Sequence, residues 1–231
     1  GSKYYTHMYI SADDKNAFRA SSGVVRLGEE LPKPAKLKME LISEIKDACP
    51  AIEYVFIEDM DFITFGEEPM DNKGAEDWFA RWQEYNLQVM STTSDYFPAN
   101  ELNLQEGSFF TSRDLEEGNR VIVLGAGAVQ RLFQDRDPIG REVPVVGGEP
   151  FVVIGVLAPV TDSSMWQSNL GYIPITSMTR SVDEFYRITA VAPDAKVLPE
   201  AHGQVDSYLK KTLEEGYIIY SSISDLRYIN R

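Results

Sequence analysis

Apolar and polar positions along the chain predict a strand, a short helix and a hairpin in its central region. The β-branched apolar run Val121–Leu124 predicts a buried strand, and Ala126–Phe133 repeats its apolar positions at helical spacing. Two later strand-like runs, residues 142–146 and 151–157, flank a pair of glycines. Because glycine tolerates the positive φ of a tight turn, these two runs predict a hairpin.

Strand-helix-strand patterns are predicted on both sides of this region. In each pattern, a helix with an apolar stripe lies between two short runs rich in aromatic and β-branched residues. The predicted elements are strand 4–10, helix 36–48 and strand 52–57 before the central region, and strand 185–191, helix 198–215 and strand 217–222 after it. Two such units around a third segment predict an α/β (α+β) fold in which a discontinuous domain carries an inserted one.

Composition and charge argue against several classes of partner. With 231 residues, 43% of them hydrophobic, the chain is long enough to bury a substantial core. A net charge of -14 argues against nucleic acid and anionic membrane surfaces, because both would be repelled. The longest apolar stretch, residues 151–160, is far shorter than the ~20 residues that cross a bilayer. Cys49 is the only cysteine, so no internal disulfide forms, and we predict that it lies buried at a helix end.

The turn after the strand Val121–Leu124 contains the start of a dinucleotide-binding pattern. Gly125 and Gly127 lie between a strand and a helix, as that pattern requires, but Gln130 occupies the position of its third glycine. The helix is also only about two turns long, and the next element is predicted to pair as a hairpin rather than to return as a parallel strand. We therefore interpret these glycines as ending a strand and letting a helix pack closely.

No residue type or spacing predicts catalysis, a metal site or a bound cofactor. Neither histidine, His7 or His202, has a metal-ligand neighbour at helical or hairpin spacing. The acidic residues Glu58, Asp59 and Asp61 lack the central Gly and terminal Glu of a calcium-binding loop, and they predict a solvated turn. The sequence contains no Gly-x-Ser-x-Gly elbow and no Gly-x-x-x-x-Gly-Lys-Ser/Thr phosphate loop. We predict a non-enzymatic domain.

One segment is rich in large aromatic residues. If residues 76–85 form a helix, Trp78, Trp82 and Tyr85 share one face and Phe79 lies beside them. Large aromatic side chains are mostly core residues, so these four can close over the domain's own sheet. Exposed tryptophan and tyrosine are also typical anchors of protein interfaces. Both roles stay open, and these four residues are the candidate partner-binding residues.

An ordered set of short motifs runs through the second half of the chain. The motifs are TSDYF from Thr93, EGSFFT from Glu106, VIVLG from Val121, DPIG from Asp137, PFVVIGVL from Pro150 and YIPI from Tyr172. This order resembles the periplasmic core domain of MacB-like ABC transporter permeases, a group that also includes FtsX-like and lipoprotein-releasing permeases. The resemblance covers most of the chain.

The resemblance implies a domain made of two subdomains. A porter-like subdomain of two β-α-β units, split in sequence, would comprise residues 3–105 and 181–231. A smaller mixed α/β subdomain, often called sabre, would be inserted at residues 106–180. In the family, the domain lies between the first and second of four transmembrane helices. Gly1 and Ser2 are typical of a cloning scar, so we expect a fragment of such a larger protein.

The resemblance also implies location, partners and function. In this family the permease forms a homodimer in the inner membrane, a cytoplasmic ATPase supplies energy, and tripartite pumps engage an adaptor and a TolC-like outer-membrane duct. We expect a periplasmic domain, monomeric when isolated, that transmits ATP-driven conformational change for export of peptides, lipoproteins or antibiotics. The alternative is a periplasmic sensor or docking module of an FtsX-like permease that binds a regulatory protein.

Overall fold

The computed structural model divides the chain into two compact units. Unit 1 comprises residues 1–57 and 180–231, and unit 2 comprises residues 58–179. The structure describes residues 5–11, 35–36, 38–68, 77–160, 165–178, 184–185, 187–213 and 218–224. In chain order the elements are β1 (Tyr5–Ser11), β2 (Ala35–Lys36), α1 (Glu40–Ala48), β3 (Tyr54–Phe56), β4 (Glu58–Thr64), α2 (Trp78–Gln83), β5 (Asn86–Thr92), α3 (Tyr96–Ala99), β6 (Leu104–Gly107), α4 (Ser112–Glu117), β7 (Val121–Leu124), α5 (Ala126–Phe133), β8 (Glu142–Val145), β9 (Gly148–Leu157), α6 (Met165–Ser168), β10 (Gly171–Pro174), β11 (Glu184–Phe185), β12 (Arg187–Val191), α7 (Leu198–Thr212) and β13 (Ile218–Ser224).

Unit 1 is built on a four-stranded sheet with the strand order β13-β1-β12-β3. Every neighbouring pair in this sheet is antiparallel. Consequently β1 and β3, which lie before and after α1, run parallel with β12 between them. In the same way, β12 and β13 run parallel on either side of β1. Unit 1 therefore contains two interleaved, split β-α-β units, and the predicted α/β fold class is confirmed.

The helices of unit 1 follow the apolar stripes that predicted them. In α1, Leu41, Ile42 and Ile45 are buried, and Cys49 follows as the buried residue at the helix end. Its N–H donates to the carbonyl oxygen of Ile45 at 3.0 Å, and burial raises the pKa of the Cys49 thiol, which keeps the thiol protonated. The predicted position of Cys49 is confirmed. In α7 the buried residues are Leu198, Ala201, Val205 and Leu209.

Unit 2 is built on a curled sheet in which β8 and β9 form the predicted hairpin. The strand order is β4-β5-β10-β7-β9-β6, and β8 also pairs with β9. The pairs β5–β10 and β7–β9 are parallel, and the other neighbours are antiparallel. Val146, in the turn after β8, donates its N–H to the carbonyl oxygen of Thr64 in β4 at 2.8 Å. This bond links the hairpin to the far edge of the sheet, so the sheet curls around its core.

The core of unit 2 explains why β7 is apolar at every position. Ile122 and Leu124 lie in one buried cluster with Ala128 and Phe133 of α5. Val123 is also fully buried, although alternate residues of a strand point to opposite faces. Both faces of β7 are therefore covered, which requires the continuous apolar run that predicted this strand. No described helix is long and apolar enough to span a bilayer.

The strand pairing predicted for the central region needs one correction. The hairpin is confirmed, and Gly147 in its turn has a φ of +76°. The element after the helix, β8, pairs as a hairpin as predicted, but the second strand of that hairpin, β9, also returns in parallel to β7, which was not predicted. The reason is that β9 is long enough to pair with β8 on one side and with β7 on the other, which the local pattern of a hairpin does not reveal.

The observed division between the units differs from the predicted one at the first boundary. The predicted boundary between residues 105 and 106 falls inside β6, whereas unit 2 begins at Glu58. This shift arises because β4 pairs with β5, and β5 pairs with β10 in the central sheet of unit 2. The second predicted boundary, after residue 180, lies one residue beyond the observed end of unit 2 at Thr179. The porter-like and sabre-like character of the units stays a prediction.

The acidic residues Glu58, Asp59 and Asp61 lie in β4, so the predicted solvated turn was wrong. The strand pairs with β5 along its whole length, from Glu58 to Thr64. Backbone pairing with a buried neighbouring strand outweighs the low strand propensity of acidic residues, and charged side chains are common on edge strands.

Candidate interaction site

Aromatic residues of three predicted motifs pack together in the interior of unit 2. The ring centroid of Phe97 lies 4.4 Å from that of Phe109, 5.1 Å from that of Phe110 and 5.6 Å from that of Tyr172. Tyr96 completes the group, with its ring centroid 5.9 Å from that of Tyr172. All except Phe109 are almost fully buried. We call these five residues the aromatic core cluster.

The Tyr172 hydroxyl, which belongs to this cluster, has a hydrogen-bond partner. The Tyr172 hydroxyl donates to the carbonyl oxygen of Gln167 at 2.9 Å. Burial, and to a smaller extent the neighbouring Tyr96, raises the pKa of Tyr172. The hydroxyl therefore stays protonated and keeps its donor role. The motifs that carry the family resemblance thus explain packing rather than bond chemistry.

The acidic part of the EGSFFT region has a similar local explanation. Thr111 begins α4 as its N-cap, and its N–H donates to Oδ2 of Asp114 at 2.8 Å, while the Asp114 N–H donates back to the Thr111 hydroxyl. Asn119 donates to Oδ1 of Asp114 at 2.9 Å. Burial alone would raise the pKa of Asp114, but the hydrogen bonds from Asn119 and Thr111 outweigh it and lower the pKa. Asp114 is therefore a capping residue.

The glycines that resemble a dinucleotide site are covered by the protein's own chain. Gly125 donates its N–H to the carbonyl oxygen of Leu170 at 2.9 Å, and Gly127 donates to the Ser168 hydroxyl at 3.0 Å. A Cβ at Gly125 would lie 2.3 Å from the Ser168 carbonyl oxygen. The α5 N-terminus thus uses these N–H groups within the fold, as expected for glycines that let a helix pack closely. This arrangement leaves no room for a pyrophosphate at that turn.

Among the described residues, histidine and carboxylate side chains do not assemble into a metal site. His202 lies in α7, where burial lowers its pKa. The nearby Lys210 also lowers the pKa of His202, whereas Asp206 raises it, and the net shift is downward. The described part of the chain holds no group of three or more His, Cys, Asp or Glu side chains that could bind a metal ion. The side chain of His7 lies outside the described residues.

The segment with the candidate partner-binding residues forms the short helix α2 on the surface of unit 2. Asp77 caps the helix by accepting the N–H of Ala80 at 3.0 Å. Trp78 is 70% exposed and Phe79 is 43% exposed, whereas Trp82 is half-buried. The helix ends at Gln83, so Tyr85 lies beyond it. Tyr85 is half-buried, and its carbonyl oxygen accepts the N–H groups of Phe65 and Gly66.

Two residues of β4 extend this apolar surface. Phe62 is 51% exposed, and its ring packs edge-on against Trp82 with the centroids 5.6 Å apart. Trp82 in turn stacks on Phe79 at 5.9 Å, and Phe79 contacts Trp78 edge-on at 5.8 Å. Met60 is 39% exposed and lies two residues from Phe62, on the same strand face. We call Met60, Phe62, Trp78, Phe79 and Trp82 the aromatic patch.

The aromatic patch combines features of both roles that the sequence left open. Trp82 packs against the sheet through Phe62, as a residue that closes over the domain's own core would do. Trp78 nevertheless exposes most of its surface to solvent, and Phe79 exposes somewhat less than half. Met60 and Phe62 were missed in the sequence, although their alternation with Asp61 is a signal of a strand with an apolar outer face. Exposed aromatic residues in contact with one another are typical of interaction sites.

The arrangement of two interleaved β-α-β units and an inserted curled sheet defines a two-unit α/β domain of a class known from solved extracytoplasmic domains. The extracellular domain of the ABC-type transporter YknZ from Gram-positive bacteria superposes with a TM-score of 0.60 at 18% identity, covering 94% of this chain and 99% of that chain. The periplasmic region of MacB from Actinobacillus actinomycetemcomitans gives a TM-score of 0.61 at 17% identity, covering 98% and 90%. These similarities show the fold.

Sequence comparison shows the family. The family model of the MacB-like periplasmic core domain matches residues 5–208. The chain belongs to this family, and it is therefore an extracytoplasmic domain of the MacB/YknZ-like ABC transporter permeases. This finding confirms the resemblance noted in the motifs.

Curated relatives show how much of a whole protein the chain represents. The uncharacterized ABC transporter permease YknZ of Bacillus subtilis (strain 168) is 28% identical over 146 residues, which is 58% of this chain and 36% of that protein. The macrolide export ATP-binding/permease protein MacB of Syntrophobacter fumaroxidans is 37% identical over 103 residues, which is 44% of this chain and 13% of that protein. The pyoverdine export ATP-binding/permease protein PvdT of Pseudomonas aeruginosa is 31% identical over 132 residues, which is 54% of this chain and 20% of that protein. The aligned parts thus span about a third or less of these relatives' lengths.

Proposed function

We propose that this chain is the periplasmic domain of an inner-membrane ABC transporter permease and that it transmits ATP-driven conformational change for export of peptides, lipoproteins or antibiotics. The observation that carries the proposal is the match of residues 5–208 to the MacB-like periplasmic core domain. Relatives named for the export of macrolides and of pyoverdine support a role in export. In this proposal the domain is non-enzymatic and acts through packing and movement.

The connection from unit 1 to unit 2 suits a mechanical role. Ile57 is the only residue between β3 of unit 1 and β4 of unit 2, and it is 1% exposed. Both strands are held in their own sheets by backbone pairing. Because no long linker intervenes at this crossing, a displacement of β3 is passed along the chain to β4 rather than absorbed by a flexible segment.

The proposal includes the partners that the family resemblance implies. The rest of the permease and its ATPase would act on this domain from the membrane side, with the permease as a homodimer. A periplasmic adaptor and a TolC-like outer-membrane duct would be engaged from the other side. We propose that the isolated chain is a monomer.

Replacing this domain by a short Gly/Ser linker tests the transmission of conformational change. The permease that carries the chain is reconstituted with its ATPase in proteoliposomes, and ATP hydrolysis and export are measured together. We expect ATP hydrolysis to persist, because the ATPase has its own fold, and export to fall at least about tenfold because transmission is lost.

Insertion of the Gly/Ser segment between Ile57 and Glu58 is a second test variant, which keeps both units and lengthens only the direct connection. We expect this insertion to lower export as well, by a smaller factor. Undiminished export without the domain would contradict the proposed function.

The second candidate function is docking of a regulatory protein, and the aromatic patch is the observation that favours it. Trp78 and Phe79 are exposed, and a large apolar surface in contact with water has an energetic cost unless it is used. In this proposal Trp78, Phe79 and Trp82 form the centre of the docking surface, and Tyr85, whose N–H donates to the carbonyl oxygen of Trp82 at 3.3 Å, lies next to it.

The double variant Trp78→Ala/Trp82→Ala tests the docking role. Pull-down from envelope extracts with the original and variant chains should show at least about a tenfold loss of the specific partner, because tryptophans at the centre of an interface contribute most of its binding energy. Trp166→Ala is the matched control, since Trp166 is 50% exposed and lies outside the patch. Circular dichroism verifies that all chains remain folded. An unchanged set of partners in the double variant would argue against docking through the patch.

A further inference from the structure

A cavity of about 330 Å³ lies beside α2 in unit 2, next to the aromatic patch but distinct from it. Its wall is formed by residues of α2 and α5, by the residue that follows β4 and by the residue that follows α2. The lining residues are Phe65, Ala80, Gln83, Glu84, Arg131 and Leu132. A volume of this size is at the lower end of small-molecule sites, and it suits a group no larger than one amino-acid residue.

Arg131 is the unusual member of this lining. Its Nε is buried and has no hydrogen-bond partner among the described residues. Burial also lowers the pKa of Arg131. A buried donor without a partner is costly, and polar groups in folded proteins rarely remain in that state. Since Arg131 also lines the cavity, its guanidinium is the cationic group that an acceptor entering the cavity would meet.

The chemistry of guanidinium and of the cavity wall selects the acceptor. A guanidinium presents parallel N–H groups that match the two oxygens of a carboxylate. Phe65, Ala80 and Leu132 supply an apolar surface, and the Gln83 amide can donate a further hydrogen bond. An acid with one carboxylate and a small apolar body satisfies both parts of this wall.

Glu84 restricts the charge of the ligand. Glu84 lines the same cavity, yet Glu84 and Arg131 form no ion pair within the described part of the chain. Arg131 is thus not neutralised by its nearest acidic neighbour in the wall. A second negative charge on a ligand would meet Glu84 and be repelled, so the cavity favours monoanions.

We infer that this cavity binds the carboxylate of a small apolar monoanion through Arg131, with the C-terminal residue of a peptide or a free N-blocked amino acid as the two forms of that chemistry. The inference concerns a ligand site within unit 2 and does not depend on the proposed transport function. It assigns Arg131 as the anchor, Gln83 as an additional donor, and Phe65 with Leu132 as the apolar wall.

Binding of N-acetyl-leucine and N-acetyl-leucinamide to the 231-residue chain tests the inference. The two compounds have the same apolar body, and only the first carries a carboxylate. Amide chemical shifts in heteronuclear NMR spectra, followed during titration, give Kd values and locate the site. For a ligand of this size we expect a Kd on the order of 1–10 mM for the acid. We expect at least about tenfold weaker binding of the amide, because it lacks the charge-assisted hydrogen bonds.

Three variants distinguish an Arg131 site from general attraction to a cation. Arg131→Gln is expected to weaken binding of the acid at least about tenfold. Arg131→Lys is expected to retain part of the affinity. Glu84→Gln is expected to strengthen binding of the acid by about two- to fivefold, because a repelling charge is removed. Arg113→Gln is the matched control, since the Arg113 side chain is 81% exposed on α4, away from the cavity, and it should leave the Kd unchanged.

A comparison of peptide ligands distinguishes the two sources of the carboxylate. A tetrapeptide that ends in leucine is compared with the same peptide carrying a C-terminal amide. Binding of the free-acid peptide alone supports the C-terminal residue of a peptide as the occupant, and binding of both acids supports an open site for small apolar acids. Equal binding of acid and amide, an unchanged Kd in Arg131→Gln, or no shifts up to about 50 mM of either acid would overturn the inference.

Discussion

Phe97→Ala is expected to lower the free energy of unfolding of unit 2 by about 3–5 kcal/mol. Phe97 is fully buried and lies at the centre of the aromatic core cluster, where its ring meets those of Tyr96, Phe109, Phe110 and Tyr172. Truncation removes the apolar surface of one ring and leaves a cavity that four other rings cannot fill without moving. The DYF motif is, on this account, a packing motif.

Urea unfolding followed by tryptophan fluorescence measures this loss selectively. Trp78, Trp82 and Trp166 are the three tryptophans of the chain, and all lie in unit 2, so the fluorescence reports on that unit. Phe62→Ala is the matched control because it makes the same chemical change at a half-exposed ring, and we expect it to cost about 1 kcal/mol. Equal losses for the two variants would show that the cluster does not stabilise unit 2 as described.

Gly125→Ala is expected to cost about 2–3 kcal/mol in the same measurement. The backbone of Gly125 is extended, with a φ of -67°, so alanine is not strained by its own dihedral angles. The added Cβ would instead lie 2.3 Å from the carbonyl oxygen of Ser168, which is backbone and cannot swing away. The segment around α6 must then move from α5, and the hydrogen bond from Gly125 to Leu170 is weakened.

Gly66→Ala is the control for Gly125→Ala. A Cβ at Gly66 would lie 3.5 Å from the nearest atom, Cβ of Tyr85, which is ordinary contact. We expect a change within about 0.5 kcal/mol. A neutral Gly125→Ala would contradict the interpretation that this glycine serves close packing, and it would reopen the question of why the turn resembles a nucleotide-binding pattern.

Elements whose residues specify them locally were predicted well from the sequence. Strand Val121–Leu124 and helix Ala126–Phe133 have the predicted bounds, because a fully apolar strand and a helical apolar stripe are both local signals. The helix predicted from residue 36 begins instead at Glu40, since Ala35 and Lys36 pair with β11. That pairing joins residues about 150 apart in sequence, and local periodicity carries no information about it.

The division into units and the aromatic patch depended on the same kind of distant pairing. The first boundary of the compact units differs from the predicted subdomain boundary because nothing local shows that Leu87 and Val89 of β5 share a core with Ile173 of β10. Likewise, the helical stripe predicted Trp78, Phe79 and Trp82 but not the contact of Trp82 with Phe62, since Phe62 lies on another element. Tyr85 was placed on the same stripe, but α2 ends two residues earlier.

Hydrogen exchange in the complete permease tests the transmission of conformational change most directly. Backbone amide exchange of this domain is compared between the nucleotide-free complex and the complex with its ATPase held in the ATP-bound state. The account predicts a reproducible change in protection on both sides of Ile57, in β3 of unit 1 and β4 of unit 2, while the aromatic core cluster keeps its protection in both states. Identical exchange throughout the domain in the two states would contradict the proposal that this domain transmits the action of the ATPase.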